Sequence, residues 1–468
     1  MAADPTTSRP DSSLYRAVWR WHFIAGLIVL PVLIMMAVTG GLYLFKGELD
    51  HLAYRSLEEA PARHAQFAPA GAVVGKVEAA LGGQVLQLTP AEGSSQSVRL
   101  LVRAPSGKAL TAFADPYDGH LIGATAYGGV MQLVRKIHSL QKFGFWASCI
   151  IEIAAGWAIV MVGTGLFLWW PRGRPGGGLT VRGAPAERIF WRDLHAVTGV
   201  FAAAVILFLA VTGMPWSMFW GDHVQKWITA ANLYEPAAPA KVTPAWLMTM
   251  DMPSMAQASR RQADAVKPDL PWALEKAPSP MSMPLAGGAS IGLDAAISRF
   301  ERLGLKRPFS VALPESSDGA FVGDYRPDRV EDSRTIYLDR YSGRVLGDVG
   351  FKDWGAGAKA IEWGIAVHQG QEYGVVNRYL MLAGCVAIVL LACSAVIMWW
   401  KRRPAGRLGV PPAPADRRAA WPVLGVIALV GLVYPLVGAS LLLALLVDRG
   451  LALLKSFQIG RQRSGSIS

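Results

Sequence analysis

Four stretches of the chain lack the alternation of polar and apolar positions that a soluble fold requires. Residues 23–45, 146–170, 194–220 and 379–400 are apolar almost throughout, and about 20 such residues cross the roughly 30 Å hydrocarbon core of a bilayer. They are expected to be membrane-spanning helices. A fifth stretch, 420–447, is broken by Pro435 and Gly438 and fits either one kinked span or a re-entrant pair of half-helices. The first stretch is too long for a secretory signal core and shows no small-residue cleavage site, so it is expected to remain as an anchor.

Between the spans the pattern shifts to period two. Residues 97–124 alternate around Val98, Leu100 and Val102, then turn at Asp115-Pro-Tyr-Asp-Gly119 before Leu121 and Ile122. Thr335-Ile-Tyr-Leu-Asp339 turns at Tyr341-Ser-Gly343 into Val345-Leu346. Each reads as a hairpin, preceded by a helix-like stretch near 71–81 and 292–303. Two small α+β modules are expected, with 234–290, rich in Pro, Ala, Met and Ser, as a surface excursion or linker.

The resulting fold class is a membrane α-helical bundle. Four core transmembrane helices in two tandem repeats are joined by a C-terminal hydrophobic segment and carry the two modules. The expected order is a tail (1–21), a span (22–46), a module (47–137), a span (138–170) and a loop (171–191). A third span (192–220), a second module with its insertion (221–367), a fourth span (368–400), a loop (401–419), the C-terminal segment (420–447) and a tail (448–468) follow.

Charge orients this arrangement. Arg9, Arg16 and Arg20 precede the first span; Arg172, Arg174, Arg182 and Arg188 follow the second; Lys401, Arg402, Arg403, Arg407, Arg417 and Arg418 follow the fourth. Short basic loops belong in the cytoplasm, which places the modules outside. The excess of 46 Lys and Arg over 34 Asp and Glu is thus largely topological, and no nucleic-acid partner is expected. Cys149, Cys385 and Cys393 all lie in apolar runs, read as small buried hydrophobes, and offer no disulfide or zinc framework. A hydrolase is disfavoured because neither GxSxG nor HExxH occurs. A transporter is disfavoured because the spans carry little charge beyond Glu152, read as a snorkelling or locally hydrogen-bonded carboxyl or as a proton-handling group.

The candidate chemistry lies in a repeated spacing. Span one reads Trp21-His22-Phe-Ile-Ala-Gly26 and reaches Thr39-Gly40 seventeen residues after its histidine; span three reads Leu194-His195-Ala-Val-Thr-Gly199 and reaches Thr212-Gly213 at the same interval. His138-Ser-Leu-Gln141 precedes Trp169 by thirty-one residues, and His368-Gln-Gly-Gln371 precedes Trp399 by thirty-one. If the two halves pack around a pseudo-two-fold axis normal to the membrane, each pair of histidines falls at one depth, His22 with His195 near the cytoplasm and His138 with His368 near the outer surface. An ionisable side chain at membrane depth is costly and usually functional. Opposed neutral imidazoles suit axial ligation of haem iron, and Gly at i+4 leaves room for a flat macrocycle. Two such sites would make an electron path across the bilayer.

The plainer reading is that a histidine at a helix end bonds a carbonyl, and that Gly at i+4 serves helix packing. One histidine would favour it; four in duplicated, depth-matched positions favour ligation. His51 and His223 follow their spans at similar but unequal spacings, and His64 and His120 have no counterpart in the second copy. Arg135 and Arg378 near the outer pair are candidate partners for haem propionates. Arg16, Arg20 and Arg192 near the inner pair serve either that role or topology.

These features resemble the PepSY-associated transmembrane proteins of bacterial inner membranes. The resemblance rests on His22…Gly26…Pro31…Thr39-Gly40, on His368-Gln-Gly-Gln371…Gly374 leading to Trp399-Trp-Lys-Arg-Arg-Pro404, and on the turns at 115–119 and 339–343, and covers roughly 14–405. It implies two PepSY modules, and in some relatives a haem-containing reductase that releases iron from ferric siderophores. The expected cofactor is about two non-covalent haems b, since no CxxCH attachment site occurs. Without a dinucleotide or flavin-type domain the electron donor is expected to be external, a membrane quinol or a cytoplasmic reductase. The alternative is a haem-free, membrane-anchored PepSY module that binds peptides or regulates a peptidase.

Overall fold

The computed structural model describes residues 10–171, 178–231, 233, 274, 280–283, 288–404, 409–411, 416–446 and 450. Most of the 234–290 excursion, the start of the N-terminal tail, parts of the basic loops and most of the C-terminal tail lie outside them. In chain order the elements are α1 (Pro10–Tyr43), α2 (Lys46–Glu58), α3 (Ala70–Leu81), β1 (Gln84–Thr89), β2 (Val98–Arg103), β3 (Ala109–Ala114) and β4 (Leu121–Ala126). There follow α4 (Gly129–His138), α5 (Phe145–Trp169), α6 (Arg188–Gly213), α7 (Trp220–Ala230) and α8 (Leu293–Arg302). The remainder are β5 (Phe309–Ala312), β6 (Phe321–Tyr325), β7 (Arg334–Leu338), β8 (Val345–Gly350), α9 (Ala356–His368), α10 (Gly374–Arg402), α11 (Trp421–Val433) and α12 (Pro435–Leu446).

The chain forms two compact units, one of Met1–Leu44, Arg135–Gln225 and Tyr379–Ser468, the other of Phe45–Val134 and Lys226–Arg378. In the first, α1, α5, α6 and α10 are long and apolar enough to cross a membrane. Small residues draw α1, α5 and α6 together: Ala17, Ala25, Ala154, Ala155 and Ala210 are buried in one cluster with Trp157 and Val160. Trp21 stacks on Trp157 at 6.5 Å between ring centroids, and the Trp157 indole donates to Ser440 Oγ at 2.9 Å. Cys149 and Cys385 are buried, whereas Cys393 is exposed on α10, outside the buried set expected from its apolar setting.

The C-terminal stretch is not one kinked span. Residues seven apart in a continuous helix are separated by about 10 Å along the axis, yet a Cβ on Gly431 would stand 2.7 Å from Gly438 Cα. The chain reverses between α11 and α12, each too short to cross alone, and forms a hairpin of half-helices. Gly156 receives it, since a Cβ there would lie 2.2 Å from Val437 Cγ2.

In the second unit the strands expected as two separate modules join into one sheet, ordered β4-β3-β2-β1-β5-β6-β7-β8. All pairings are antiparallel, and β1 meets β5 through Gln87 with Ala312 and Leu88 with Val311. Each half is one helix and four strands. Both carry an irregularity at the same place, between Phe113 and Ala114 on β3 and between Tyr337 and Leu338 on β7. The turns also match: Asp115 and Asp339 are buried and accept the backbone N–H of Tyr117 and Tyr341 at 2.8 and 3.0 Å. Gly119 and Gly343 close these turns at φ 71° and 66°, a conformation that favours glycine. Helices α3 and α8 pack on the sheet through Val73, Val77, Ala296 and Phe300. Asp294 at the start of α8 accepts the N–H of Gly71 at 3.1 Å and also that of Ala70, capping α3.

Candidate functional site

The helices of the first unit bring His22 and His195 together, with ring centroids 6.4 Å apart and ring planes at 90°. His22 sits on α1. Its Nδ1 lies 2.9 Å from Thr164 Oγ1 on α5, and a Cβ on Gly165 would meet its Cε1 at 3.3 Å. His195 sits on α6, with Nδ1 3.1 Å from the Leu391 carbonyl and 3.0 Å from Ser394 Oγ on α10. The start of α6 is held by Asp193, which is buried and accepts from Arg182 at 2.8 Å and Arg192 at 2.6 Å. Four helices thus set two rings. A Cβ on Gly26 or Gly199 would stand 3.6 Å from Met161 Cε or 3.7 Å from Leu391 Cδ2, ordinary contact distances.

His138 also lies in the first unit. Its Nδ1 is 2.9 Å from Thr39 Oγ1 on α1, and a Cβ on Gly40 would lie 3.3 Å from its Cε1. α1 therefore offers His22 to Thr164 of α5 and, from its other end, offers Thr39 to His138. His368 is the last residue of α9 and belongs to the second unit.

His138 and His368 each end a short helix; the sequence suggested that each begins a span, and neither does. The backbone explains the difference. Two residues after each, Leu140 and Gly370 adopt φ 53° and 73°, and six residues after each, Gly144 and Gly374 adopt φ 92° and 60°. The left-handed residues stop one helix and redirect the chain into the next. Leu140 does so without glycine's freedom.

The remaining candidates separate by their partners. Arg378 pairs with Glu48 and lies over the Phe45 ring, so it is already committed to a carboxylate. Arg135 is exposed at the end of α4 and forms no ion pair among the described residues. Arg20 donates to the Pro411 carbonyl at 2.7 Å, and Arg16 is exposed. His51 pairs with Glu58, and His223 Nδ1 lies 2.7 Å from the Phe219 carbonyl; both are exposed, as are His64 and His120. Glu152 is fully buried and accepts the Trp220 N–H at 3.0 Å, with Oε1 unpartnered among the described residues. It is a locally bonded carboxyl. Sequence reasoning overlooked Thr164 and Ser394, although each stands twenty-six residues after a candidate histidine. It also treated Arg402 as a topology signal, whereas its guanidinium stacks on Trp19 and Phe23 at 4.8 and 5.0 Å, next to His22.

Two imidazoles alone are too few to hold a tetrahedral zinc ion, which takes four ligands, and no cluster of three or more His, Cys, Asp or Glu occurs among the described residues. They suffice for a metal whose other ligands come with it. No curated protein matches the chain. Residues 19–402 match the PepSY-associated TM region, and this membrane protein belongs to that family.

Proposed function

We propose that the protein is a di-haem electron-transfer protein of a bacterial inner membrane that reduces a ferric chelate, of siderophore type, on the periplasmic side. The spacing of His22 and His195 carries this reading. An imidazole nitrogen binds a first-row metal at about 2.0–2.1 Å, and ring bonds of about 1.33 Å put that nitrogen about 1.1 Å from the centroid. Two rings that held one metal ion between them would therefore have centroids about 6.3 Å apart, against 6.4 Å here. The residues fit the group.

Haem b, bound without a covalent link, would supply one-electron chemistry. His22 and His195 would hold the inner iron. His138 and His368 would hold the outer one, by the recurrence of the same spacings. Arg135 is free of carboxylates among the described residues and suits a propionate; Arg378 would serve only by releasing Glu48. The matched halves of the sheet, down to the same strand irregularity, support reading them as two PepSY modules from a tandem duplication. Their sheet holds a recess of about 340 Å³ lined by Gln87, Thr89, Arg99, Tyr127 and Arg326, with donors suited to an oxygen-rich chelate. Hard oxygen donors hold Fe(II) less tightly than Fe(III), so reduction releases the metal. The donor would be external, a membrane quinol or a cytoplasmic reductase.

The test is the visible spectrum of detergent-purified protein, oxidised and dithionite-reduced, with haem measured per chain. A six-coordinate b-type spectrum with about two haems, followed by chelate-dependent reoxidation, is expected. A folded but colourless preparation from haem-replete cells would remove the redox function and favour a peptide-binding or regulatory module.

A further inference from the structure

The hydroxyl groups beside the histidines decide which ring nitrogen carries the proton. A hydroxyl has one hydrogen to give and lone pairs to receive. Thr164 donates its hydrogen to the Val160 carbonyl at 2.8 Å, and Thr39 donates to the Met35 carbonyl at 2.6 Å. Each can therefore only accept from the Nδ1 that stands 2.9 Å away, on His22 and His138. For His195 the conclusion is independent of any hydroxyl, because the Leu391 carbonyl at 3.1 Å is an acceptor alone. Ser394, 3.0 Å from the same Nδ1, gives its hydrogen to that carbonyl too. In all three rings Nδ1 bears the hydrogen and Nε2 keeps the lone pair.

We propose that Thr164, Thr39 and Ser394 are positioning residues that lock His22, His138 and His195 with Nε2 presented for metal binding. The proposal rests on the haem reading for its purpose and on hydrogen bonding for its geometry. The lock on His22 and on His195 comes from a neighbouring span, not from the helix that bears the ring, so helix packing sets ring orientation. The chain carries a hydroxyl at all four corresponding places: Thr39 and Thr212 seventeen residues after His22 and His195, Thr164 and Ser394 twenty-six after His138 and His368. Thr212 likewise donates to the carbonyl four residues earlier, at 2.7 Å. An acceptor on Nδ1–H also raises the basicity of Nε2 and so favours ferric over ferrous iron.

Thr164→Val keeps the side-chain shape and removes the acceptor; Thr164→Ser restores it. Thr164→Val is expected to weaken haem affinity about 10–100-fold, to move the midpoint potential of one haem positive and to alter its ferric EPR signal, with Thr164→Ser close to wild type. Ser394→Ala is expected to do less, because His195 retains the Leu391 carbonyl. Nitrogen-15 NMR of histidine-labelled, haem-free protein is expected to show the Nδ1–H tautomer for His22, assigned with His22→Gln. An Nε2–H tautomer, or Thr164→Val indistinguishable from wild type in potential and EPR signal, would overturn the proposal. A wild type that takes up no haem overturns the proposed function instead, and the tautomer measurement still decides the hydrogen-bond lock.

Discussion

His22 and His195 stand with their ring planes at 90°, each tied through Nδ1 to a different partner helix. Perpendicular axial imidazoles leave the iron d orbitals that bind to them nearly equal in energy. A haem held by these two rings, as proposed, would therefore be expected to give a strongly anisotropic low-spin EPR signal. His22→Ala and His195→Ala should each lower the content from about two haems to about one, and the double variant should lose no more than either single one. Independent losses from the two substitutions would show that the residues do not share an iron.

Leu140 occupies the left-handed conformation that Gly370 occupies two residues after the second outer histidine. A side chain there costs about 1–2 kcal/mol, partly offset by the greater unfolded-state freedom of glycine. Leu140→Gly is expected to leave stability unchanged or to raise it by about 1 kcal/mol, read as a higher Tm in detergent. A clear loss would mean that the Leu140 side chain makes packing contacts worth more than the strain.

The sheet depends on α8. Phe300 is fully buried, and a Cβ on Gly323 beneath it would lie 2.7 Å from its ring. Phe300→Ala is expected to destabilise by about 3–5 kcal/mol, and Asp294→Ala, which uncaps α3, by about 1 kcal/mol. Chemical denaturation followed by strand circular dichroism would rank the two, and the reverse order would refute this account of the core.

Alkali should attack the same unit through Tyr337. Burial, and secondarily the Asp324 carboxylate, push its phenol up to about 12 from 10.0. A raised folded-state pKa gives stability that is intact below the unfolded value and is lost as pH climbs through the folded one. Unfolding should thus become easier between pH 10 and about 12, and Tyr337→Phe should flatten that part of the stability profile. An unchanged profile would assign the alkaline loss to other groups.

The recess on the sheet offers the Arg99 guanidinium on β2, whereas Arg326, just after β6, is paired with Asp324 at 2.7 Å. Arg99→Glu is expected to raise the KM for an anionic ferric chelate severalfold while changing kcat little, since the substitution acts through charge at the recess. A neutral chelate should be affected less. Equal effects on both would place chelate docking elsewhere.

Much of this molecule is local and so was legible in the residues alone. The spans follow from unbroken apolar runs, because a bilayer demands length and hydrophobicity and little else. The hairpins follow from Asp-x-Tyr-x-Gly turns, whose aspartate and glycine act within five residues. The recurring spacings singled out His22, His138, His195 and His368 before any helix was placed.

Tertiary structure decided what depends on residues far apart in the chain. Strand β1 meets β5 more than two hundred residues later, and a backbone edge carries no signature of its partner, so two expected modules became one sheet. The reversal of 420–447 rests on the approach of Gly431 to Gly438, a matter of packing that Pro435 alone did not specify. The tautomer of each histidine rests on Thr164, Thr39 and Leu391, contributed by other helices. Spacing located the imidazoles, and the neighbouring helices settled which nitrogen they present.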